Sequence, residues 1–303
     1  MRRIIFFAPA IKSKTVYKSI WHEIEIVLNT SKITGNEIAY GFVPNAKDIW
    51  VRDFMPFQRH DGDFLIYRYE PDYLKGNEKD ITNCQEAFIE AGGRDIILSK
   101  ICHHTNLVLD GGNMIKCVDK DGVNCVIMTT KVLYENPTLS HHEILKELEK
   151  CLGAEVILIP WDLEEPYGHS DGMVRSIGNG KLLLNFYSDF DPKLGNSIKK
   201  ALGNRFEISE LSYGLRYREN SWCHLNYLEI GNIILLPVSG MASDSLATYQ
   251  IRKFTGKRCI EVWMPPIIAQ GGAMHCISWT IDTEIILENN LNFNHPIFNS
   301  QSL

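Results

Sequence analysis

The sequence lacks several features that mark whole classes of protein. None of its eight cysteines forms a Cys-x-x-Cys pair, which argues against a zinc ribbon or a thioredoxin-type redox motif. No apolar run reaches the roughly 20 residues that a membrane-spanning helix needs, and no low-complexity linker divides the chain. With 31 basic against 37 acidic residues there is no basic excess, so neither nucleic acid nor a membrane is an expected partner.

The composition is that of an ordinary globular protein, with 45% hydrophobic and 22% charged residues. We expect a single domain spanning residues 1–303, and a poorly ordered tail in the Asn-rich stretch 289–303. Most cysteines are interpreted as small buried side chains in a reducing compartment. The apolar run Arg3–Ala8 is short and is broken by Pro9, so it predicts a buried first strand of a cytoplasmic protein rather than a signal peptide.

A glycine that ends a helical pattern recurs five times, at steps of about 50 to 60 residues, which is the size of a supersecondary repeat. After each glycine come a strand-like run and a polar motif, and in the first four repeats a dipeptide typical of a hairpin turn follows. The glycines are Gly35, Gly93, Gly153, Gly203 and Gly256, and the turns are Asp61-Gly62, Asp121-Gly122, Asn179-Gly180 and Gly231-Asn232. The fifth repeat lacks the turn, and the run Arg3–Ala8 can supply its missing strand and close a ring. The alternative is a linear α/β chain whose turns recur by chance.

Equivalent points of a closed ring converge on its axis, so the polar motifs of the five repeats should meet there. They carry, in chain order, Asp53, Asp110, His169, Asn226 and Cys276. We therefore expect carboxylates, a histidine, an amide and a thiol to share one pocket.

Cys276 is the candidate nucleophile, because Gly271-Gly272 precedes it and allows a substrate to approach closely. His169 is the candidate acid–base group, since its ordinary pKa lies near neutrality. Asp171 lies two residues further on and faces the same side of an extended segment. His275 is adjacent to Cys276 and would point away from it on a strand, so it is not expected to be the base.

Three carboxylates, those of Asp53, Asp110 and Asp171, would repel one another in a buried cluster unless a cation or a protonated histidine entered. A planar guanidinium suits such a cluster, because carboxylates pair with its N–H groups in bidentate fashion. Asp110 can instead orient His169. Trp50 can stack on a cation or fill the core, and Arg52 is expected to be a structural ion-pair partner.

The ordered set of motifs resembles the agmatine deiminase and Porphyromonas-type peptidylarginine deiminase family over essentially the whole chain. The motifs are Trp50-Val51-Arg52-Asp53, Asp110-Gly111-Gly112-Asn113, Gly168-His169-Ser170-Asp171-Gly172 and Gly271-Gly272-Ala273-Met274-His275-Cys276. The resemblance implies a five-bladed α/β propeller of the pentein type, built from pseudo-fivefold repeats. It also implies the following roles: attack by Cys276, proton transfer by His169, support of that histidine by Asp110, grip on the guanidinium by Asp53 and Asp171, and an asparagine lining the site at Asn226.

The reaction that this resemblance implies is hydrolysis of a guanidinium to a ureido group and ammonia through a thiouronium on Cys276, with no metal or organic cofactor. Agmatine, giving N-carbamoylputrescine in putrescine biosynthesis, is the first substrate expected. Free arginine and arginyl peptides stay open, with Arg59 or Arg68 to meet a substrate carboxylate. An amidinotransferase and a non-catalytic propeller that binds a partner are the alternatives. Whether the chain forms a homo-oligomer is left open.

Overall fold

Five small sheets of one design make up the strand structure of this chain. The computed structural model describes residues 3–33, 38–94, 97, 102–165, 167–217 and 220–282. Within these residues each sheet has three strands, the first pair antiparallel and the second pair parallel. This is the α/β fold of five repeats that the sequence predicts, and five sheets of one design are consistent with five blades.

The strands, in chain order, are β1 (Arg3–Phe7), β2 (Ile38–Phe42), β3 (Phe57–Gln58), β4 (Phe64–Arg68), β5 (Cys102–Val108), β6 (Ile115–Val118), β7 (Asn124–Thr129), β8 (Glu155–Ile159), β9 (Val174–Gly178), β10 (Lys181–Leu184), β11 (Glu207–Glu210), β12 (Leu228–Ile230), β13 (Ile233–Val238), β14 (Arg258–Trp263) and β15 (Trp279–Asp282). They are ordered β3-β4-β5, β6-β7-β8, β9-β10-β11, β12-β13-β14 and β15-β1-β2.

The α-helices of the described residues are α1 (Ala10–Ser13), α2 (Lys18–Ile33), α3 (Val51–Phe54), α4 (Cys84–Phe88), α5 (Lys131–Glu135), α6 (His141–Leu152), α7 (Tyr187–Phe190), α8 (Pro192–Leu202), α9 (Asp244–Thr255) and α10 (Pro265–Ile268). Short 3-10 turns span Gly111–Asn113, Ser170–Gly172 and Asn220–His224. Within the described ranges, no helix combines the length and the apolar character that crossing a bilayer requires.

The predicted hairpin turns lie where the sequence puts them. Each of the four dipeptides joins the antiparallel pair of one sheet, and their glycines adopt positive φ angles of 58° to 91°. Such angles cost glycine little because it has no Cβ atom. The loops between first and second strands are therefore dictated by local chemistry.

The glycines that end the helical patterns agree less uniformly with the prediction. Gly153 and Gly256 end α6 and α9 in the left-handed conformation, with φ of 61° and 68°. In the second repeat the positive φ, 101°, falls on Gly92 instead, and Arg94, the residue directly after Gly93, is still helical. The prediction of a strand directly after Gly93 is therefore wrong. Gly35 and the tail 289–303 lie outside the described residues.

The N-terminal strand completes the fifth sheet, as the sequence predicts. β1 pairs antiparallel with β15 and parallel with β2, so that Ile5 faces both Thr280 and Tyr40. Ile4 and Phe6 pack in one apolar cluster, whereas Ile5 and Phe7 pack in another. A strand buried on both faces reads as a continuous apolar run, which explains the unbroken hydrophobic start of the chain.

One strand of each sheet follows directly on a polar motif. Those strands are β3, β6, β9, β12 and β15, which we call the inner strands. Helix α3 and the three 3-10 turns lead into the first four of them, and the turn around Cys276 leads into β15. The five motifs therefore lie at the starts of the inner strands.

We expect Ile5→Ala to lower the free energy of unfolding by about 2 to 5 kcal/mol, because it opens a cavity in a strand buried on both faces. Ile26→Ala in α2 is the matched control, since that side chain is 51% exposed whereas Ile5 is 0% exposed. The control should change the free energy by less than about 0.5 kcal/mol. Urea denaturation followed by circular dichroism measures both values, and equal losses would contradict the central place of β1.

Candidate active site

The described residues place the polar side chains of several motifs in contact with one another. Cys276 Sγ lies 3.7 Å from Asp171 Oδ2. The two ring nitrogens of His169 lie 3.0 Å from Asp110 Oδ2 and 3.7 Å from Asp53 Oδ1. His169, Asp171 and Cys276 line one pocket of about 490 Å³, counting its opening to solvent. A thiol, an imidazole and carboxylates therefore share one site.

His169 is held between two buried carboxylates. Its Nε2 donates a hydrogen bond to Asp110, and its Nδ1 faces Asp53. Burial alone would lower the pKa of the imidazole, but Asp53 and the hydrogen bond to Asp110 outweigh it and raise the pKa of His169 to about 10. The imidazole therefore carries a proton at neutral pH, the form required of an acid.

Asp53 owes its position to helix α3 and to a glycine beside it. Its Oδ1 accepts a hydrogen bond from the backbone N–H of Gly112 at 3.1 Å. A Cβ atom at Gly112 would lie 2.6 Å from His169 Nδ1 and 2.7 Å from Asp53 Oδ1, so only glycine lets the histidine and the carboxylate approach here. Burial raises the pKa of Asp53 to about 8, which leaves this carboxyl easily protonated in the empty site.

The backbone around Cys276 is fixed by hydrogen bonds from two other motifs. Asn226 Oδ1 accepts from the N–H groups of both His275 and Cys276 at 3.1 Å, and Arg52 N–H donates to the Cys276 carbonyl at 3.0 Å. Gly272 packs against the Trp50 ring, where a Cβ atom would lie 2.0 Å from the indole. Trp50 and Asn226 thus support the turn that carries the thiol.

Burial, together with the negative charges of Asp171 and Asp53, raises the pKa of the Cys276 thiol well above its ordinary value. The empty site therefore holds a neutral thiol. A cation placed between the thiol and those carboxylates would reverse the balance, because a nearby positive charge favours the thiolate. The arrangement is chemically suited to a cationic ligand.

His275 lies in a turn and not on a strand. The alternation of side chains along a strand, which was the reason to expect His275 to point away from Cys276, therefore does not apply. Its Nδ1 donates to Asp171 Oδ2 at 2.7 Å, the same oxygen that faces Cys276 Sγ. Burial lowers the pKa of His275 to about 3, with Arg52 and Arg175 adding to the effect. Burial by itself would raise the pKa of Asp171, yet the hydrogen bond from neutral His275 keeps it below its usual range. Asp171 is therefore a charged carboxylate held in place by this histidine.

The prediction that Arg52 is an ion-pair partner is not confirmed within the described residues. Its Nε is shielded from solvent and has no hydrogen-bond partner, and no ion pair to a carboxylate forms among the described residues. The side chain turns away from the pocket of Cys276 into a second cavity. Whether Arg52 forms an ion pair depends on which side chain the fold places opposite it. The local motif Trp50-Val51-Arg52-Asp53 does not contain that information.

The lining of the pocket is acidic and aromatic. Asp162, Glu165, Tyr167 and Trp222 contribute to it, and the described lining residues include no lysine or arginine. Arg59 pairs with Asp61 and donates to the Cys151 carbonyl, and Arg68 lines a separate cavity. Neither of the arginines considered for a substrate carboxylate thus reaches this pocket.

Lys131 is a neighbour of the site that the sequence analysis missed. It is 1% exposed, and its Nζ lies 2.7 Å from Glu135, 2.9 Å from Asp72 and 3.8 Å from Asp110. The only sequence signal is the i,i+4 spacing of Lys131 and Glu135, which is typical of any exposed helix pair. The burial that makes this lysine distinctive comes from tertiary packing.

Comparison with known proteins gives a consistent family and fold. The profile of the Porphyromonas-type peptidyl-arginine deiminase family matches residues 15–281. A Mycoplasma capricolum protein, named provisionally as an agmatine deiminase, is 23% identical over 77% of this chain and 79% of its own. The agmatine deiminase of Enterococcus faecalis aligns with a TM-score of 0.66 over 92% of this chain and 93% of its own, at 18% identity. That of C. jejuni aligns with 0.65 over 92% of both chains, at 14% identity.

Replacing Asp110 should release the proton of His169 more easily. We expect Asp110→Asn to lower the pKa of this histidine from its raised value, because the variant loses a negative charge and a charge-assisted hydrogen bond. The NMR titration of the His169 ring measures it. Asp162→Asn is the control, a buried carboxylate of the same pocket that makes no hydrogen bond with His169. An equal shift in both variants would contradict the assigned contact.

Proposed function

Because the chain belongs to the Porphyromonas-type peptidyl-arginine deiminase family, we propose that it hydrolyses a guanidinium group to a ureido group and ammonia, with Cys276 as the nucleophile. The observation that carries the proposal is one pocket in which a thiol and a protonated histidine stand beside buried carboxylates. Family membership supports chemistry on a guanidino group.

Asp53 and Asp171 are proposed to hold the guanidinium. Carboxylates accept paired N–H groups from a planar guanidinium in a geometry that also fixes its rotation. Asp171 is kept charged by His275, and its Oδ2 lies 3.7 Å from the thiol. A guanidinium bound to it would therefore bring its central carbon close to the sulfur of Cys276, as attack requires.

The cation itself is proposed to activate the nucleophile. In the empty site the pKa of Cys276 is raised well above its usual value by burial and by the neighbouring carboxylates. Binding of a guanidinium neutralises those charges, so the thiol can lose its proton to water and remain as a thiolate beside the cation. The enzyme thus becomes nucleophilic only when a suitable substrate is present.

The reaction then proceeds in two halves. The thiolate adds to the guanidinium carbon, and His169 donates its proton to one terminal nitrogen, which leaves as ammonia and yields a thiouronium on Cys276. Neutral His169 next accepts a proton from water as the water adds to the thiouronium carbon. Collapse of that adduct expels the thiolate and releases the ureido product. Asp110 keeps the imidazole oriented throughout, and the scheme requires neither a metal ion nor an organic cofactor.

Agmatine is the substrate that we propose. It carries a second positive charge and no carboxylate, which suits a pocket whose lining includes Asp162 and Glu165 and no described basic residue. Arginine would bring a carboxylate into the same negative field, at an electrostatic cost. The names of the Mycoplasma and Enterococcus proteins agree with this choice. The product would be N-carbamoylputrescine, a precursor of putrescine, and the eight unpaired cysteines suit a reducing cytoplasm.

Turnover should require the thiol of Cys276. We expect the wild-type protein to release ammonia and a ureido product from agmatine faster than from arginine or a blocked arginyl peptide. Cys276→Ser should reduce kcat by about a thousandfold or more, as loss of an enzyme nucleophile does. Cys259→Ser on β14 is the matched control and should keep the wild-type rate.

Each possible failure of this assay has a separate meaning. No turnover of any of the three guanidino compounds would rule out the hydrolase. Full activity of Cys276→Ser would remove Cys276 from the mechanism. Amidine transfer to added glycine or ornithine would replace the hydrolase by an amidinotransferase, and a faster rate with arginine would overturn the choice of agmatine.

The pH dependence of kcat/KM should follow Asp53 and His169. Asp53 must be charged to hold the cation, so activity should rise as pH passes its pKa of about 8. His169 must be protonated to release ammonia, so activity should fall as pH passes about 10. Steady-state rates with agmatine across this range measure the profile. Asp110→Asn should move the alkaline limb to lower pH, and a maximum below neutrality would contradict the assignment.

A further inference from the structure

A second cavity runs along the inner strands. It has about 1280 Å³ of space, counting the part open to solvent. All five inner strands contribute to its lining, through Gln58, Lys116, Arg175, Glu229 and Thr280. Arg52, Met114 and His275, which precede these strands, also line it, yet none of its lining residues lines the pocket of Cys276. We call this second space the rear cavity.

Positive charge dominates the rear cavity. Its lining includes five basic side chains, against the carboxylates of Glu229 and Asp282. Two of the five share one carboxylate, since Lys257 Nζ lies 2.5 Å and Arg3 4.0 Å from Glu229. The remaining three are Arg52, Lys116 and Arg175, and none of them forms an ion pair within the described residues.

These three cations have only weak compensation. Lys116 donates a hydrogen bond to the Arg59 carbonyl at 3.3 Å. Arg175 stacks over the Tyr227 ring, 4.5 Å from its centre. Arg52 has its Nε shielded from water with no hydrogen-bond partner among the described residues. A buried donor on a charged group that lacks a partner is costly, so a ligand that supplies an acceptor would be favoured.

The pKa values of the cations in the cavity also favour an anionic ligand. Burial and the neighbouring Arg175 lower the pKa of Arg52 to about 10, against the opposing effect of Asp171 and Asp53. Burial also lowers the pKa of Lys116, with Arg3 and Arg52 adding to the effect and Asp282 opposing it. Buried cations that repel one another are stabilised when an anion binds between them.

We propose that the rear cavity binds a small, multiply charged oxyanion, such as a phosphate or a polycarboxylate, between Arg52, Lys116 and Arg175. Guanidinium groups present forked N–H donors that match the oxygens of such anions. The pocket of Cys276 is acidic, so an anion has no comparable site there. This site is distinct from the proposed guanidine chemistry and does not depend on it.

Isothermal titration calorimetry of the whole protein tests the proposal. Inorganic phosphate, pyrophosphate and citrate are titrated separately, with sodium chloride holding the ionic strength constant. We expect saturable binding of at least one of them in a one-to-one complex. Separate arms for phosphates and citrate distinguish the two sources of charge.

Two pairs of variants locate the binding. Lys116→Gln and Arg175→Gln should each weaken it by about tenfold or more, as expected for the loss of a charge-assisted contact. Lys181→Gln and Arg68→Gln are the matched controls, because their side chains are 56% and 50% exposed on other surfaces. Both controls should bind like the wild type.

Several results would overturn the proposal. One is that none of the three anions binds the wild-type protein saturably at millimolar concentration. A second is that both cavity variants keep the full anion affinity of the wild type. A third is that the control variants lose as much anion affinity as the cavity variants. Circular dichroism checks that each variant is folded, and if one is not, the other decides. Cys276→Ala should bind the anion like the wild type, which separates this result from any failure of the hydrolase assay.

Discussion

The insertion of β1 between β15 and β2 is the constraint on which the arrangement of the site depends. β15 begins three residues after Cys276, and its antiparallel partner is the first strand of the chain. The pairing therefore ties the end of the described chain to its beginning. Through the apolar clusters on both faces of β1, the turn that carries the thiol is held against motifs more than 100 residues away. This pairing acts together with the hydrogen bonds that Asn226 and Arg52 make to the turn of Cys276.

The inner strands separate charge along their length. Carboxylates gather around His169 before these strands begin, whereas Arg52, Lys116 and Arg175 line the rear cavity. Residues of the two regions are adjacent in the sequence, since Arg52 precedes Asp53 and His275 precedes Cys276. His275 shows the result, since burial and the two arginines lower its pKa while its Nδ1 steadies Asp171. Opposite fields on the two sides keep the imidazole neutral and the carboxylate charged.

Local chemistry made some of this predictable from the sequence and left the rest hidden. The hairpin glycines were readable because positive φ is a property of single residues. The need for glycine at position 112 appears only in the structure, where His169 and Asp53 both approach it. The orientation of His275 was not readable, because it depends on whether residues 273–277 form a strand or a turn. The lack of an ion pair at Arg52 and the burial of Lys131 both come from distant parts of the chain.

On the proposed reaction, the same electrostatics that admit the substrate also release the product. In the empty site, burial raises the pKa values of Asp53 and Cys276 and so favours the protonated form of each group. A guanidinium favours the charged forms of both groups, so its binding is linked to proton release. The ureido group of the product is neutral and cannot balance those charges. Once hydrolysis has removed the positive charge, the carboxyl and the thiol regain their protons, and the interactions that held the substrate are lost.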